Sequence, residues 1–498
     1  MNINDDVKKF ERRTLFFILI IAAFLRLWGI KHGFPFIFHP DEATVVRSAL
    51  GLRFNINPEH FDWPHLFIYL NYGIYMTFAK FRDLMVLLNQ KSYLVSLFPL
   101  MWNDNLVFYF ITRVFAALLG ALTVIPIFLT GKKIFDQKTG FIAALCFALF
   151  PFHVLHSHYS LIDVPMVFFL SWGVYFCSKI LMEKKADSYI WAGLFIGLAA
   201  STKYHGGLAA IMVPLAHFIR VIREKVLNET KKEDFISFKG IKDLVLSGIF
   251  AFIGFVAGTP FAVLDYKTFS RTDGPKGAFW QFTNVGSVEL PIQINQFVHN
   301  ILYKLPDDLG YTPLLFLFIG VGLLIYRLAK KRYSKNDFSV LFLSTMALFF
   351  LWYISGFEKT RSHYYFPMYP FIALVFSYVC TQFMKGFLSS GFSKYLFLLF
   401  SFVPLVYFSF ITSYAFAQND TRVDLYKYLS SLKKQTISFD STGLEDVIRV
   451  ANFNPIRVDN VCDKYGLSVS VDTICSDRVV ERTINNEFRR GPQIYIYK

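Results

Sequence analysis

Charge is sparse in this sequence. Asp, Glu, Lys and Arg make up 17% of 498 residues, against 54% apolar ones, with 59 Phe and 27 Tyr. That balance excludes a soluble globular chain of this length, whose surface needs far more polar cover. Phosphate-cradling glycine loops, dinucleotide fingerprints and kinase signatures are missing, so no nucleotide site is expected. Neither His-Glu-x-x-His nor paired Cys-x-x-Cys occurs, which removes the commonest zinc frameworks. Cysteine is limited to five. Cys146, Cys177 and Cys380 fall in apolar stretches and read as packing residues, whereas Cys462 and Cys475 lie in a polar tail where an oxidising compartment would allow a disulfide. There is no internal repeat and no low-complexity tract. No small-residue cleavage site follows the first apolar run, Thr14–Ile30, so it reads as an uncleaved helix rather than a signal peptide.

What is present is a series of apolar runs approaching twenty residues, long enough to cross a bilayer. They fall at roughly 14–30, 106–131, 141–158, 163–180, 188–202, 206–220, 241–262, 312–329, 339–356, 366–383 and 394–416. The net charge of +15 does not point to nucleic acid, because the basic residues sit in alternate connections. Those connections hold Lys8, Lys9, Arg12 and Arg13; Lys132, Lys133 and Lys138; Lys179, Lys184 and Lys185; seven residues between Arg220 and Lys242; Arg327, Lys330, Lys331, Arg332 and Lys335; and Lys385 and Lys394. Placed inside, they give a cytoplasmic N-terminus, about eleven spans (eleven to thirteen) and an outer C-terminus. The run 66–79 is rich in Tyr and reads as an interfacial or shallow re-entrant helix; a further crossing near 93–102 would also restore parity. Outer loops then cover 31–105 and 263–311, the second either a mobile flap or a linker. The spans form one unit over 1–418. From 419 to 498 a helix at Leu425–Leu432 and short alternating segments at Gln435–Phe439, Val447–Val450, Leu467–Val471 and Gln493–Tyr497 predict a small extracytoplasmic α/β domain.

Polar residues collect beside the outer ends of these runs. Asp41 and Glu42 follow Pro40 at a predicted helix start, where they serve either as a cap or as a general base, with Asp41 favoured for the second role. Adjacent residues point apart, so one of the two is expected to face a site and the other to anchor the helix. Asp163, just before Pro165, is either a cap or a residue orienting substrate hydroxyls; with Asp41 it would also be placed to hold a cation. Lys203 lies outside, where charge asymmetry does not call for it. It either snorkels or joins Arg361 in gripping a phosphate, and Arg361 has Glu358 as an alternative partner. Around these charges His39, His65, His158, Tyr204, His205, His363 and Tyr364 are the expected substrate contacts, although most such histidines are ordinary hydrogen-bonding residues. No cofactor is expected to be required, and a divalent cation is the minor alternative.

These motifs resemble the polytopic GT-C glycosyltransferases, in particular the protein O-mannosyltransferase, aminoarabinose transferase and RgtA/B/C/D-like group. The resemblance rests on His39-Pro40-Asp41-Glu42, Thr112-Arg113-Val114, Asp163, Thr202-Lys203-Tyr204, Arg361 through Pro370 and Asp420-Thr421-Arg422. It covers about residues 10–425, and Asp62-Trp63-Pro64-His65 departs from the Pro-Pro-Leu of some members. The resemblance implies a GT-C-like membrane fold and a polyprenyl-phosphate-linked sugar donor. It further implies Asp41 as base, Arg113 as a donor-phosphate contact, and a lipid, polysaccharide or protein acceptor. The expected location is a cell membrane, in a bacterium the inner one. A lipid-linked glycan transporter or flippase shares the many spans, but it calls for inverted repeats and broken mid-membrane helices, which are not evident. A non-catalytic assembly partner is the third reading.

Overall fold

The computed structural model describes residues 3–88, 90–91, 105–183, 185–227, 238–386, 390–433, 435–463 and 466–497. The stretch 93–102, Lys184 and residues 228–237 of the basic segment between Arg220 and Lys242 lie outside them. Among the described residues eight helices are long and apolar enough to cross a membrane: Leu106–Ile134, Asp163–Met182, Tyr204–Val226, Lys239–Gly258, Tyr311–Ala329, Lys335–Ser355, Ser362–Gly386 and Gly391–Ser430. Three further expected spans are shorter or more charged. Gln137–Ala148 has 12 residues and Ala186–Thr202 has 17; in Ile3–Leu27, Arg12, Arg13 and Arg26 cut the apolar stretch short.

Several expected spans are broken, and each break has a local cause. The run 141–158 is interrupted at Phe150, whose extended backbone precedes Pro151, and resumes as the short helix Pro151–His156; a residue before proline is driven out of the helical region. The runs starting near 206 and 366 open with 3-10 turns, Tyr204–Ile211 and Ser362–Met368, before becoming α-helical. Both turns follow an extended cationic residue, Lys203 and Arg361.

Ion pairs tie one end of the bundle together: Lys132 to Glu11 at 2.5 Å, Lys133 to Glu183, Lys385 to Asp136 at 2.9 Å and Arg327 to Asp337 at 3.1 Å. Helix ends carrying His39, Asp163, Lys203 and Arg361 meet at the opposite end. Helix Leu66–Leu87 stays near that second end. Its Phe67 stacks on Phe115, Tyr75 bonds Thr112 and the Phe108 carbonyl, and Phe78 meets Phe108, so it runs back towards the start of the Leu106–Leu122 helix.

The C-terminal part forms a five-stranded sheet in the order β2-β1-β3-β5-β4, from β1 (Thr436–Phe439), β2 (Asn454–Arg457), β3 (Ser468–Val471), β4 (Val480–Ile484) and β5 (Ile494–Tyr497). β1 pairs parallel with β2 and β3, and β5 pairs antiparallel with β3 and β4. Helices Thr421–Ser430 and Glu445–Val450 bury Leu425, Leu429, Val447 and Ile448 in its core. The expected strand at Val447–Val450 is therefore a helix. Consecutive Val447 and Ile448 are both buried, and Glu445 pairs with Arg449 one helical turn on, at 2.6 Å. Cys462 and Cys475 are joined in a disulfide.

The sheet domain rests on the loop after the first helix. Phe36 and Phe38 pack against its core, Arg422 sits 3.5 Å over the Phe38 ring, and Arg490 donates to the Tyr159 hydroxyl at 2.8 Å.

Candidate active site

A cavity of ≈ 980 Å3 opens at the end of the bundle away from the ion-paired one. Its walls come from chain segments far apart in sequence, so each side chain is best traced to the element that holds it.

His39 caps the helix Pro40–Gly51, its Nδ1 accepting from the Asp41 amide at 3.3 Å, with Pro40 at the first helical position. Asp41 then faces the cavity. Its neighbour Glu42 is turned about 100° away by the helical period and is fully buried. Both Glu42 oxygens accept from Arg113, Nε and Nη2 each at 2.7 Å, and one also accepts from the Ser160 amide at 2.8 Å. Arg113 spends its remaining nitrogen on the carbonyls of Ile30 and His32. Glu42 and Arg113 therefore do not line the cavity as expected of a catalytic acid and a phosphate contact. Their forked pair clamps the loop after the first helix onto the Leu106–Leu122 helix.

Asp163 opens the Asp163–Met182 helix and is ion-paired with Lys203. Lys203 also lies 5.1 Å over the Tyr364 ring, on which the His205 ring stacks at 4.9 Å. His363 faces His156 at 5.4 Å between ring centres. Arg361 is exposed, and among the described residues its guanidinium has no ion pair or hydrogen bond; Glu358, its alternative partner, lies against Gly286 instead. Asp41 and Arg361 both act electrostatically on the Tyr364 hydroxyl. The cavity thus sets the Asp41 carboxylate, the free Arg361 guanidinium and the Lys203–Asp163 pair around a shared space.

Two expected contacts are elsewhere. His158 is buried, its ring nitrogens against the Val154 and Trp28 carbonyls at 2.9 and 3.0 Å and its face stacked on Phe416 at 4.1 Å. His65 is buried too, with Nε2 donating to the His60 carbonyl at 2.7 Å, and burial lowers its pKa to about 4. Both are tied to backbone, and neither lines the cavity.

In their place the structure brings in Asp62, which no role had been given. It lines the cavity and is bonded by His60 Nδ1 at 2.6 Å, while His60 Nε2 meets the Ser48 hydroxyl at 3.1 Å. The preceding residue is held on both sides, the Phe61 amide donating to the Lys276 carbonyl at 2.6 Å and the Tyr204 hydroxyl to the Phe61 carbonyl at 2.8 Å. The close His-x-Asp spacing was the available signal. The segment 281–288 forms another wall and is pinned by backbone bonds from Val288 to Gly356 and from Lys359 to Val285. Among the described residues no group of three or more His, Cys, Asp or Glu side chains converges as a metal site.

The fold has solved counterparts. ArnT from Cupriavidus metallidurans, solved bound to undecaprenyl phosphate, is 11% identical, with a TM-score of 0.51 over 97% of each chain. The chain shares that fold. The archaeal oligosaccharyltransferase AglB from Archaeoglobus fulgidus, solved with an inhibitory peptide and a dolichol-phosphate, is 13% identical with a TM-score of 0.51 over 93% of this chain and 69% of its own. Residues 92–233 match the family of dolichyl-phosphate-mannose-protein mannosyltransferases. Within the same sequence class, protein mannosyltransferase 1 of Saccharomyces cerevisiae is 30% identical over 164 residues, 31% of this chain. The matched region spans 18% of that relative's length.

Proposed function

We propose that this GT-C chain is a glycosyltransferase that moves a sugar from a polyprenyl-phosphate donor to an acceptor hydroxyl, with inversion, at the outer face of a cell membrane. The observation that carries this reading is one cavity presenting the Asp41 carboxylate and the unpaired Arg361 guanidinium together. The cavity end lies opposite the Lys132, Lys133 and Lys385 end, and basic ends face the cytoplasm, which supports an outer site. The lipid phosphates bound by the ArnT and AglB neighbours and the mannosyltransferase match support a lipid-linked donor.

In this mechanism Asp41 takes the proton of the acceptor hydroxyl. The freed oxygen forms a bond to the anomeric carbon while the bond from that carbon to the phosphate oxygen breaks, and the electron pair leaves with the lipid phosphate. Arg361 meets the charge that develops there, and guanidinium suits phosphate because its paired N–H groups match two oxygens. Lys203 is already neutralised by Asp163, so its part is to orient Asp163 and the Tyr364 ring towards the sugar. No metal is required when side-chain cations carry the leaving group.

Purified protein assayed with polyprenyl-phosphate hexoses tests this. Asp41→Asn is expected to keep its fold and lose about 10²–10⁴-fold in turnover, the usual worth of a positioned base. Full turnover in the folded variant would overturn the reading.

A further inference from the structure

A second cavity, of ≈ 540 Å3, adjoins the first. The strap 356–361 separates them: Gly356, Phe357 and Arg361 face the first, Thr360 the second. Helix Leu290–His299 serves both, with Gln293 on one side and Gln296 on the other. The helix continues into a π-helical turn, Asn300–Lys304. Such turns re-aim side chains and concentrate at functional positions.

Here they yield two polar rows at four-residue spacing, Asn295, His299, Tyr303 and Gln296, Asn300, Lys304, all lining the cavity. The opposite face of the same helix carries Leu290, Ile294, Val298 and Leu302, all exposed. A helix lying in a membrane interface explains that apolar stripe. It does not explain a polar concavity on the other side, in the size range of ligand sites.

The lining indicates the ligand. One lysine and one aspartate, Lys304 and Asp307, leave little net charge, which disfavours a second phosphate. Asn300 already donates to Ser355 and Tyr365, which fixes the wall, and the exposed Asn295 carboxamide with the Tyr303 and Thr360 hydroxyls can donate and accept at once, as neighbouring hydroxyl groups require. Tyr303 is exposed and its ring lies 5.1 Å from that of His299, presenting an aromatic face. An amide and hydroxyls around an amphipathic ring suit a sugar, which has polar edges and an apolar face.

We infer that the second cavity binds a neutral saccharide unit of the acceptor, so that the acceptor is a glycan or glycolipid; this rests on the transfer reading above. The strap is held by the Val288–Gly356 and Lys359–Val285 backbone bonds. An acceptor crossing it places one sugar in the second cavity and its reactive hydroxyl beside Asp41.

The test is saturation-transfer NMR on the full chain in nanodiscs, with methyl hexopyranosides and neutral disaccharides as probes and no donor present. At least one probe is expected to bind. Its affinity should fall about tenfold in Tyr303→Ala and in Asn295→Ala, the equivalent of ~1.4 kcal/mol, and should persist in Asp41→Asn. Both substituted side chains are exposed, so the fold should be retained. No binding by any probe, or binding unchanged in Tyr303→Ala and Asn295→Ala, would overturn the inference. Neither measurement involves turnover, so failure of the Asp41 test leaves this result separately readable.

Discussion

Asp41 and Glu42 are consecutive carboxylates with opposite surroundings, and each calls for a different experiment. Glu42 shares two hydrogen bonds with Arg113 where neither side chain is more than 1% exposed. Removing one partner of such a pair strands the other, at about 3–5 kcal/mol. Glu42→Gln is therefore expected to lower the thermal midpoint in detergent sharply. Arg113→Lys should do likewise, because an ammonium cannot reproduce the forked geometry. Asp308 gives a pH signature. Burial raises its pKa to about 7, opposed by Ser362 and Lys304, and its Oδ2 has no hydrogen-bond partner. A carboxyl raised in the folded state binds more protons there than in the unfolded chain. Its contribution to stability is then complete below the ordinary carboxylate pKa and is lost as pH rises through about 7. Asp308→Asn should flatten the fall in unfolding midpoint between pH 5 and 8 (the window spanning about pH 7), measured beside the parent protein. Nothing in the sequence distinguished Asp308 from exposed Asp307, since both open the same short helix.

At the scale of elements, the helices Ala186–Thr202 and Phe238–Gly258 meet through small residues. A Cβ on Gly193 would stand 2.1 Å from the Ser247 carbonyl, and one on Gly197 2.1 Å from that of Ala251. Between lipid-facing helices this close backbone approach supplies the packing that a hydrophobic driving force supplies in water. Gly197→Leu is expected to push the pair apart and lower thermal stability, whereas Gly248→Leu, with nothing within 4 Å of its Cβ position, should leave it nearly unchanged. Nothing in the apolar runs named the partner helix of these glycines. Apolar runs located most long helices for the same reason that they cross bilayers. The break before Pro151 and the 3-10 opening after Lys203 escaped the apolar count, because such a count registers residue type and not backbone direction.

For the whole molecule, the sheet domain is coupled to the cavity. Arg490 donates to Tyr159, the Tyr159 ring lies 4.9 Å from that of His39, and His39 caps the helix bearing Asp41. Arg490→Ala is expected to reduce turnover about 10–100-fold through a misplaced base, with the sheet domain still folded. Circular dichroism and an assay of the same sample check it, and Arg490→Lys should recover part of the loss. From composition alone follow the membrane-spanning class, the charge difference between the two ends and the polar segments beside the apolar runs, because solvation by lipid or water acts on each segment by itself. The tertiary structure alone decided that Asp41 faces the cavity while Glu42 is clamped by Arg113, that Lys203 belongs to Asp163, that His65 and His158 are tied to backbone, and that a second cavity adjoins the first. Those outcomes depend on which distant side chain arrives opposite, and helical periodicity orients a residue about its own axis without naming its partner.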